Sequence, residues 1–307
     1  MSQERDLAKE AEWNLWLKRL SKLKCDSARG LAPHKPLLLL VVLDLIEEQQ
    51  LGDGILQRNG DIAFRFSSYW TVVADRRRTK PDVRLPFFHM RTDGFWNPLD
   101  ETGGAAPERK AAISAQLDTS FLRCARDSEF RTLARRTLIA KYFDANERRS
   151  LYELVALAIP PDDVVLADAT RFDSSKDGKM RRDAKFAVRV LPAYDYSCAL
   201  TRYRMIAVDG TTALDAAHIQ QFGMGGSNYP TNGIALSKTA HWLFDNGFWS
   251  ISDDFRVLVA AYSFEEAGES ALLLKNRANS EILLPRNQFM WPDRNCLYWH
   301  RQKHGFQ

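Results

Sequence analysis

The sequence predicts an α+β protein of two domains, the first of mixed α/β type and the second built around a ββα unit. The length of 307 residues favours two domains, since one domain usually holds roughly 150 residues. A helix-stopping pair, Pro160-Pro161, opens a polar stretch that predicts a linker at 161–180, between domains at 1–160 and 181–307. In the second domain, Asp209-Gly210 lies between two apolar runs and a capped helix follows, which is the order of a ββα unit.

Composition excludes several classes of protein. The chain is 45% hydrophobic and 27% charged, as in ordinary soluble globular proteins. Its longest apolar run, Leu37–Leu43, ends at Asp44 and falls short of the roughly 20 residues that a membrane span needs. The start of the chain lacks the apolar core of a secretory signal, and the four cysteines form no CxxC pair, so neither a disulfide framework nor a four-cysteine zinc site is expected. We expect a cytoplasmic protein without a membrane partner, whose net charge of +4 is too mild to indicate nucleic acid by itself.

The first domain is predicted to open with two helices. Apolar residues recur at helical spacing from Trp13 onward, and the run after Pro36 is apolar nearly all round, as in a buried helix. Farther along, an alternating segment predicts a half-buried strand and a continuous apolar segment predicts a buried one. In chain order the predicted elements are helix 12–24, helix 36–50, strand 61–66, a helix capped by Ser67 or Ser68 that ends at Arg76-Arg77-Arg78, strand 85–90, a turn at 92–94, and helices 127–142 and 146–158. The three arginines form either a solvated helix end or a contact with phosphates.

In the second domain a helix precedes the ββα unit, and a glycine-rich loop precedes the helix of that unit. Ser237 is of the residue type that caps helix N-termini, and Gly247 sits where a left-handed C-terminal cap belongs. In chain order the predicted elements are helix 181–191, strand 205–208, the turn at Asp209-Gly210, strand 211–219, loop 220–232, a short extended segment at 234–236 and helix 238–246.

Three polar residues stand out on this unit. His218 lies on the second strand within Leu214-Asp-Ala-Ala-His-Ile219, Asn232 closes the loop, and His241 lies on the helix, which gives His-x13-Asn-x8-His. Over about 195–305, these segments resemble the HNH (ββα-metal) endonucleases, and in particular the McrA-type modification-dependent restriction endonucleases. The resemblance implies that His218 is the general base, that Asn232 orients the loop and the base, and that His241 binds a divalent metal ion.

Phosphodiester hydrolysis suits these residue types. An imidazole titrates near neutral pH and can take a proton from water, and a divalent cation stabilises charge on the phosphate and the leaving oxygen. The expected cofactor is one divalent ion, Mg²⁺ or Mn²⁺, with Ni²⁺, Co²⁺ or Zn²⁺ as alternatives. Many relatives carry Asp or His directly before the base, where this sequence has Ala217. Asp215 shares a strand face with position 217 and is a candidate metal ligand in its place. Asp245, four residues after His241, either binds the ion or braces the helix.

Two further motifs stand out in the first domain, Ala32-Pro-His-Lys-Pro-Leu-Leu-Leu-Leu40 and Leu85-Pro-Phe-Phe-His-Met-Arg-Thr-Asp-Gly-Phe-Trp96. Within about 10–160 they resemble the DNA sulfur-binding domain of McrA-type enzymes that cut phosphorothioated DNA. The resemblance implies that His34 and Lys35 contact the phosphate backbone, and that Leu85, Pro86 and His89 line a shallow apolar cavity for the sulfur. Leu85 stands where the family has tyrosine and His89 where it has a small alanine, so phosphorothioate, another modification and unmodified DNA all stay open as targets. A purely structural role for 85–96 stays open as well.

The two resemblances together predict a restriction-type enzyme of phage defence that hydrolyses modified double-stranded DNA. Since one ββα site cuts one strand, we expect a homodimer wherever both strands are cut. Two alternatives stay open. One is a DNA-binding sensor or regulator whose nuclease is inactive because of Ala217, and the other is an HNH nuclease that acts on unmodified DNA or on RNA.

Overall fold

The computed structural model describes residues 2–27, 31–75, 77, 79–160, 176–261, 264–269 and 274–306. The chain divides into two units, 1–181 and 182–307, and each is described by itself. None of the helices in the described ranges is long and apolar enough to cross a membrane.

The first unit combines helices with one small sheet. Its elements are α1 (Ser2–Leu20), α2 (His34–Glu47), β1 (Ile55–Gln57), α3 (Gly60–Trp70), α4 (Arg84–His89), β2 (Trp96–Leu99), β3 (Ser114–Leu117), α5 (Thr119–Ala125), α6 (Ser128–Tyr142) and α7 (Ala145–Leu154). The strands form an antiparallel sheet in the order β1-β3-β2. The predicted helices at 127–142 and 146–158 correspond to α6 and α7, and that predicted at 12–24 begins earlier and ends at Leu20.

Helix α2 lies in the core of this unit, packed against α3, α4 and α6. It is buried because every residue from Leu37 to Leu43 is apolar, and all of them are fully inaccessible to solvent. At its carboxyl end, Arg135 of α6 donates hydrogen bonds to Asp44 and Glu47 at 2.8 and 2.6 Å. The helix begins at His34, two residues before the predicted start at Pro36. Pro36 therefore lies in the first turn, where backbone N–H groups have no partner within the helix and a proline is tolerated.

The strand predicted at 61–66 is wrong, because this segment belongs to α3. Asn59 caps the helix by accepting a hydrogen bond from the Ile62 N–H at 3.1 Å. Buried apolar residues recur along the segment at helical spacing, and they are Ile62, Ala63, Phe66, Tyr69 and Trp70. The alternation that suggested a strand therefore reflects only part of a helical face.

The helix that was predicted to start at Ser67 or Ser68 is also wrong, since both serines lie inside α3. The predicted end of that helix falls at Arg76-Arg77-Arg78. Of these three residues, Arg76 and Arg78 lie outside the described residues, and Arg77 borders a pocket considered below.

The strand predicted at 85–90 is wrong as well, because Arg84–His89 forms the short helix α4. A short apolar run is compatible with either element, and tertiary packing decides between them. Here Phe87 and Phe88 are buried on the helix, and the Trp96 indole N–H donates a hydrogen bond to the Phe87 carbonyl at 2.7 Å. Pro86 again falls in the first turn, where a proline is tolerated.

The second unit contains the ββα arrangement. Its elements are α8 (Lys176–Ala193, which begins before the boundary of the units), β4 (Leu214–His218), β5 (Gly233–Ser237), α9 (Lys238–Asp245), β6 (Trp249–Ile251), β7 (Val257–Val259) and α10 (Arg294–His304). β4 pairs antiparallel with β5, β6 with β7, and α9 packs on the first pair. Ser237 caps α9 by accepting a hydrogen bond from the Ala240 N–H, and Gly247 takes a left-handed φ of 72°, both as predicted.

The strand partner predicted for β4 is wrong. The Asp209-Gly210 turn forms, with the Ala207 N–H donating to the Thr211 carbonyl at 2.8 Å, but the flanking segments share only one isolated bridge. Val208 is 75% exposed, so strand 205–208 would have little to bury, whereas the apolar residues Ile234 to Leu236 of β5 are fully buried. Apolar burial therefore selects β5 as the partner of β4.

The predicted linker at 161–180 lies mainly outside the described residues, which omit 161–175. Its last five residues are helical, since α8 begins at Lys176 rather than at the predicted position 181.

Candidate functional site

His218, the predicted general base, is the last residue of β4 and is held on two sides. Its imidazole lies parallel to the ring of Phe186 on α8, with ring centroids 3.8 Å apart and planes 4° apart. Its Nε2–H donates a hydrogen bond to Asn228 Oδ1 at 2.9 Å, which leaves the ring's lone pair on Nδ1. Within the described ranges, no protein group bonds to that Nδ1. The ring therefore has a fixed orientation and one open nitrogen.

Gly233 makes the approach of α8 to His218 possible. It stands directly across from His218 in the β4–β5 pair. A Cβ at this position would lie 2.4 Å from Val190 Cγ2 and 2.8 Å from Phe186 Cζ, far inside contact distance. Only glycine leaves the space that lets Phe186, which is 2% exposed, lie against the imidazole.

Asn232 acts on the loop, and the hydrogen bonds of its side chain go to Gln220 and Ser227 rather than to His218. Its side chain is buried, and its Oδ1 accepts a hydrogen bond from the Gln220 N–H at 2.8 Å. Its Nδ2 donates to the carbonyls of Gln220 and Ser227 at 2.9 and 2.8 Å. Asn232 thus ties the two ends of the loop together and fixes the position of Asn228, which is the residue that bonds to the base.

The three predicted metal ligands meet at the other end of β4. His241 on α9 lies between two carboxylates, with its Nδ1 3.3 Å from Asp215 Oδ2 and its Nε2 3.3 Å from Asp245 Oδ2. Lys238 Nζ donates to the second oxygen of Asp215 at 2.9 Å, and its side chain is 73% exposed. The structure therefore brings Asp215, His241 and Asp245 together, but as a linear chain of contacts.

This arrangement limits how the residues can hold a divalent ion. Among the residues that the structure describes, no three His, Cys, Asp or Glu side chains are grouped as ligands of one ion. The two nitrogens of an imidazole point in nearly opposite directions, so an ion on Nδ1 has Asp215 beside it and an ion on Nε2 has Asp245. In this arrangement the three residues do not serve as ligands of one ion together. An imidazole with one carboxylate still fits a divalent ion, the other carboxylate then orienting the ring.

A pocket of about 580 Å³ in the first unit collects all five residues that were predicted to contact modified DNA. His34 and Lys35 come from the start of α2, and Leu85, Pro86 and His89 come from α4. The remaining lining residues are Lys24, Cys25, Asp26, Ala32, Arg77 and Thr92. Two motifs that are far apart in sequence thus form one concave site.

The polar groups of this pocket differ from the expectation in one respect. The Lys35 ammonium is buried and donates to Asp93 Oδ2 at 2.6 Å and to Thr92 Oγ1 at 2.9 Å, so Lys35 belongs to the wall of the pocket. The His34 ring packs edge-on against Trp70, with centroids 4.7 Å apart. Burial, and next the nearby Arg77, lower the pKa of His34. Burial, and next the charge of Lys35, lower the pKa of His89 as well, so both rings are neutral hydrogen-bonding groups at pH 7.

Sequence reasoning missed Phe186 and Asn228. Phe186 lies on a helix that was predicted, but helical spacing assigns it to the core and does not say which group its ring covers. Asn228 lies in a glycine-rich loop without any spacing rule that ties it to His218. A glycine in a strand, such as Gly233, indicates that another element approaches closely, but its place opposite His218 becomes visible only with the pairing of β4 and β5.

Comparison with known proteins addresses part of the second unit. Residues 198–252 match the HNH endonuclease family, a range that includes the predicted base, Asn232 and the predicted metal ligands. A solved structure described as a modification-dependent TagI restriction endonuclease is similar at 22% sequence identity, with a TM-score of 0.29. That match covers 38% of this chain and 36% of the TagI chain, so this chain spans about a third of its length. A search of curated proteins found no match.

Proposed function

We propose that this chain, whose residues 198–252 form an HNH endonuclease domain, is a metal-dependent, restriction-type endonuclease that cuts modified double-stranded DNA. The observation that carries the proposal is the setting of His218. Its ring face rests on Phe186, its Nε2 is bonded to Asn228, and its Nδ1 has no protein partner in the described ranges. A histidine held in this way is prepared to accept a proton.

In the proposed reaction, His218 Nδ1 takes a proton from a water molecule as the water oxygen bonds to phosphorus. The P–O bond to the leaving oxygen then breaks, and that oxygen takes up a proton from solvent water. General-base catalysis of this kind contributes about 10²–10⁴-fold to the rate. Phe186 and Asn228 act as positioning residues, since they keep the same ring nitrogen directed at the water.

We assign Asp215 and His241 Nδ1 as the ligands of the divalent ion, because Asp215 lies on β4, the strand that also carries the proposed base, whereas Asp245 lies at the far end of α9. Asp245 then accepts the Nε2–H of His241, in the arrangement by which carboxylates orient metal-binding histidines. When bound, the ion supplies neutralisation of the charge that develops on the phosphate. Asp215 takes the place of the ligand that is missing at Ala217.

The pocket of the first unit is the proposed reader of the DNA modification. Leu85 and Pro86 offer apolar surface, and His34 and His89 offer neutral hydrogen-bonding rings beside Arg77. This combination suits a modified phosphate, such as a phosphorothioate, or a modified base. Since each chain carries one such nuclease site, we propose that two copies act together when both strands are cut.

The test is cleavage of matched duplexes that are unmodified, phosphorothioated or cytosine-methylated, with Mg²⁺ or Mn²⁺, by the wild-type protein and by His218→Ala. We expect one modified duplex to be cut and the variant to be inactive. Equal cutting of all duplexes would support the nuclease and contradict the recognition pocket, and cutting of RNA would assign a different substrate. Binding without any cutting would indicate a sensor whose nuclease is inactive.

A second variant tests the role of Asn228. Asn228→Leu removes the hydrogen bond to Nε2 and keeps a side chain of similar size in the loop, so we expect it to release the ring from its fixed orientation. Asn228→Ala should lower kcat and leave KM nearly unchanged, because only the orientation of the base is lost. A kcat equal to that of the wild type in both variants would contradict the assignment of Asn228.

Metal affinity tests the ligand assignment without any substrate. We expect Mn²⁺ binding, measured by calorimetry, to be abolished in Asp215→Ala and weakened about 10- to 100-fold in Asp245→Asn. Asp254→Ala, which removes an exposed carboxylate of the same unit, is the matched control. The reverse order of effects for Asp215 and Asp245 would place the ion on Nε2.

A further inference from the structure

Several large apolar side chains project into solvent from the loop that follows β4 and from a turn packed against the end of that loop. On the loop that follows β4, Phe222 is 51%, Met224 56% and Tyr229 72% exposed, and on the turn 288–290 Phe289 is 88% exposed. The turn at 230–232 packs against the turn 288–290, and the Asp293 N–H donates to the Thr231 carbonyl at 2.8 Å. We call these four side chains the apolar rim. Exposed apolar groups that cluster at a site mark a contact surface.

The rim is supported by an ordered loop. Asn232 ties Gln220 to Ser227, and Gln220 Nε2 donates to the Met224 carbonyl at 3.2 Å. A Cβ at Gly226 would lie 1.9 Å from the Gln220 carbonyl oxygen, so the loop closes on itself too tightly for any other residue. The base of the loop is therefore fixed by polar contacts while its apolar side chains point outward.

The position of the rim indicates what covers it. The Phe222 ring lies 6.3 Å from the ring of His218, measured between centroids. This separation is smaller than the roughly 12 Å width of the major groove of B-DNA, so DNA whose phosphate reaches His218 also extends over Phe222. A second copy of the chain seated on the rim would cover the base and block the substrate, so nucleic acid is the occupant that the geometry favours.

We propose that the apolar rim enters the DNA at the cleavage site, separating stacked bases and untwisting the duplex there. This inference rests on the proposed function, since it takes His218 to be the base. Phenyl and thioether groups do not hydrogen-bond phosphates, but they do insert between base steps as wedges or stack on unpaired bases. Lys303, which donates to Gln221 Oε1 at 2.9 Å, supplies a cation beside the loop for the flanking phosphates. The enzyme consequently prefers sites at which base pairs open easily.

The test is a DNA-unwinding assay that requires no knowledge of the target sequence. His218→Ala protein is bound at low salt to closed circular plasmid, the plasmid is relaxed with a topoisomerase, and the linking number is read after the protein is removed. We expect the linking number to fall in proportion to bound protein. It should stay unchanged when the same protein also carries alanine at Phe222, Met224, Tyr229 and Phe289. Val208→Ala with Tyr203→Ala, which removes exposed apolar side chains outside the rim, should unwind DNA as the parent does.

Binding and cleavage provide the second readout. The rim variant should bind a duplex with a mismatched bubble at least about fivefold more weakly than the parent, the low end for lost base stacking. With His218 intact, it should cut a bubble duplex better than a fully paired one. Full binding of plasmid by the parent with no change in linking number would overturn the proposal. Equal unwinding by the rim variant would also overturn the proposal. A rim variant that changes from a dimer to a monomer and still unwinds DNA as the parent does would overturn it too.

These outcomes separate the two proposals. Failure of His218-dependent cutting on every substrate overturns the proposed function. Cutting that depends on His218 but occurs without unwinding overturns only the role of the rim.

Discussion

Two histidines of the second unit rest on a phenylalanine in nearly the same way, yet their surroundings give them opposite properties. His218 lies 3.8 Å from Phe186 with the planes 4° apart, and His300 lies 3.7 Å from Phe244 with the planes 6° apart. His300 is 3% exposed and both of its nitrogens are bonded, Nδ1 to Ser250 Oγ at 2.8 Å and Nε2 to the Phe244 carbonyl at 3.1 Å. In the part of the chain that the structure describes, His218 has a partner for Nε2 and none for Nδ1.

A ring stack alone does not make a histidine catalytic. Burial, and next the neighbouring His304, lower the pKa of His300 to about 3, so this ring is neutral at every pH at which the protein is expected to work. With both nitrogens bonded and no access to solvent, it has no means of receiving a proton from substrate. The open nitrogen and the partial exposure of His218 are what distinguish the proposed base from a core histidine.

The largest expected difference is between the alanine variants of the two histidines. His218→Ala should lower the cleavage rate by about 10²–10⁴-fold and leave the free energy of unfolding nearly unchanged. His300→Ala should destabilise the fold by about 2–4 kcal/mol, because it leaves buried polar partners unpaired and opens a cavity. Nicking of plasmid and urea unfolding measure the two effects. A fall in stability for His218→Ala that matched His300→Ala would erase the distinction.

Acid should lower the free energy of unfolding through His300. Because its pKa is about 3 in the folded state and about 6.5 when unfolded, the unfolded state binds the proton more readily between these values. Its contribution to stability is thus complete above pH 6.5 and is lost as the pH falls toward 3. We expect the free energy of unfolding to drop by about 3 kcal/mol from pH 7 to pH 4.5 on account of this residue.

His300→Gln, measured by urea unfolding at both pH values, should lack that part of the decrease, whereas His218→Ala should retain it. A titration of the His300 imidazole followed by NMR in the wild-type protein checks the same shift. A midpoint near 6.5 would contradict the explanation by burial.

The smallest expected effects come from the two phenylalanines. Phe186→Leu should lower kcat by about 3- to 10-fold, since an aromatic pair contributes about 0.5–1.5 kcal/mol beyond its buried area. Phe186→Trp should restore much of that loss if the ring face positions the base. Phe244→Leu should lower stability by about 1 kcal/mol and leave the cleavage rate per folded molecule unchanged. Equal effects of Phe186→Leu and Phe244→Leu on kcat would argue that the stack on His218 is only structural.

The accuracy of the sequence predictions depended on how local the signals were. The cap at Ser237, the left-handed Gly247 and helix 128–142 are set by neighbouring residues, and all three appear as predicted. The strands predicted at 61–66 and 85–90 turned out to be helices, because apolar runs this short satisfy either period and the partner elements choose between them. The partner of β4 was missed for a related reason. β4 pairs with β5 because that pairing buries the apolar residues of β5, although a long loop separates the two strands in the chain.

The candidate chemistry came from the sequence, because residue type, spacing and the resemblance to the HNH endonucleases mark His218, Asn232 and His241 as candidate site residues. The sequence also identified the two motifs whose residues line the pocket of the first unit. The surroundings of these residues depend on the tertiary structure. Phe186 and Asn228 hold His218 in place. Asp215 and Asp245 lie on opposite nitrogens of His241, and Lys35 bonds to Asp93. Those contacts join residues that are distant in the chain, and the direction of a side chain depends on the packing of several elements at once, which no local pattern encodes.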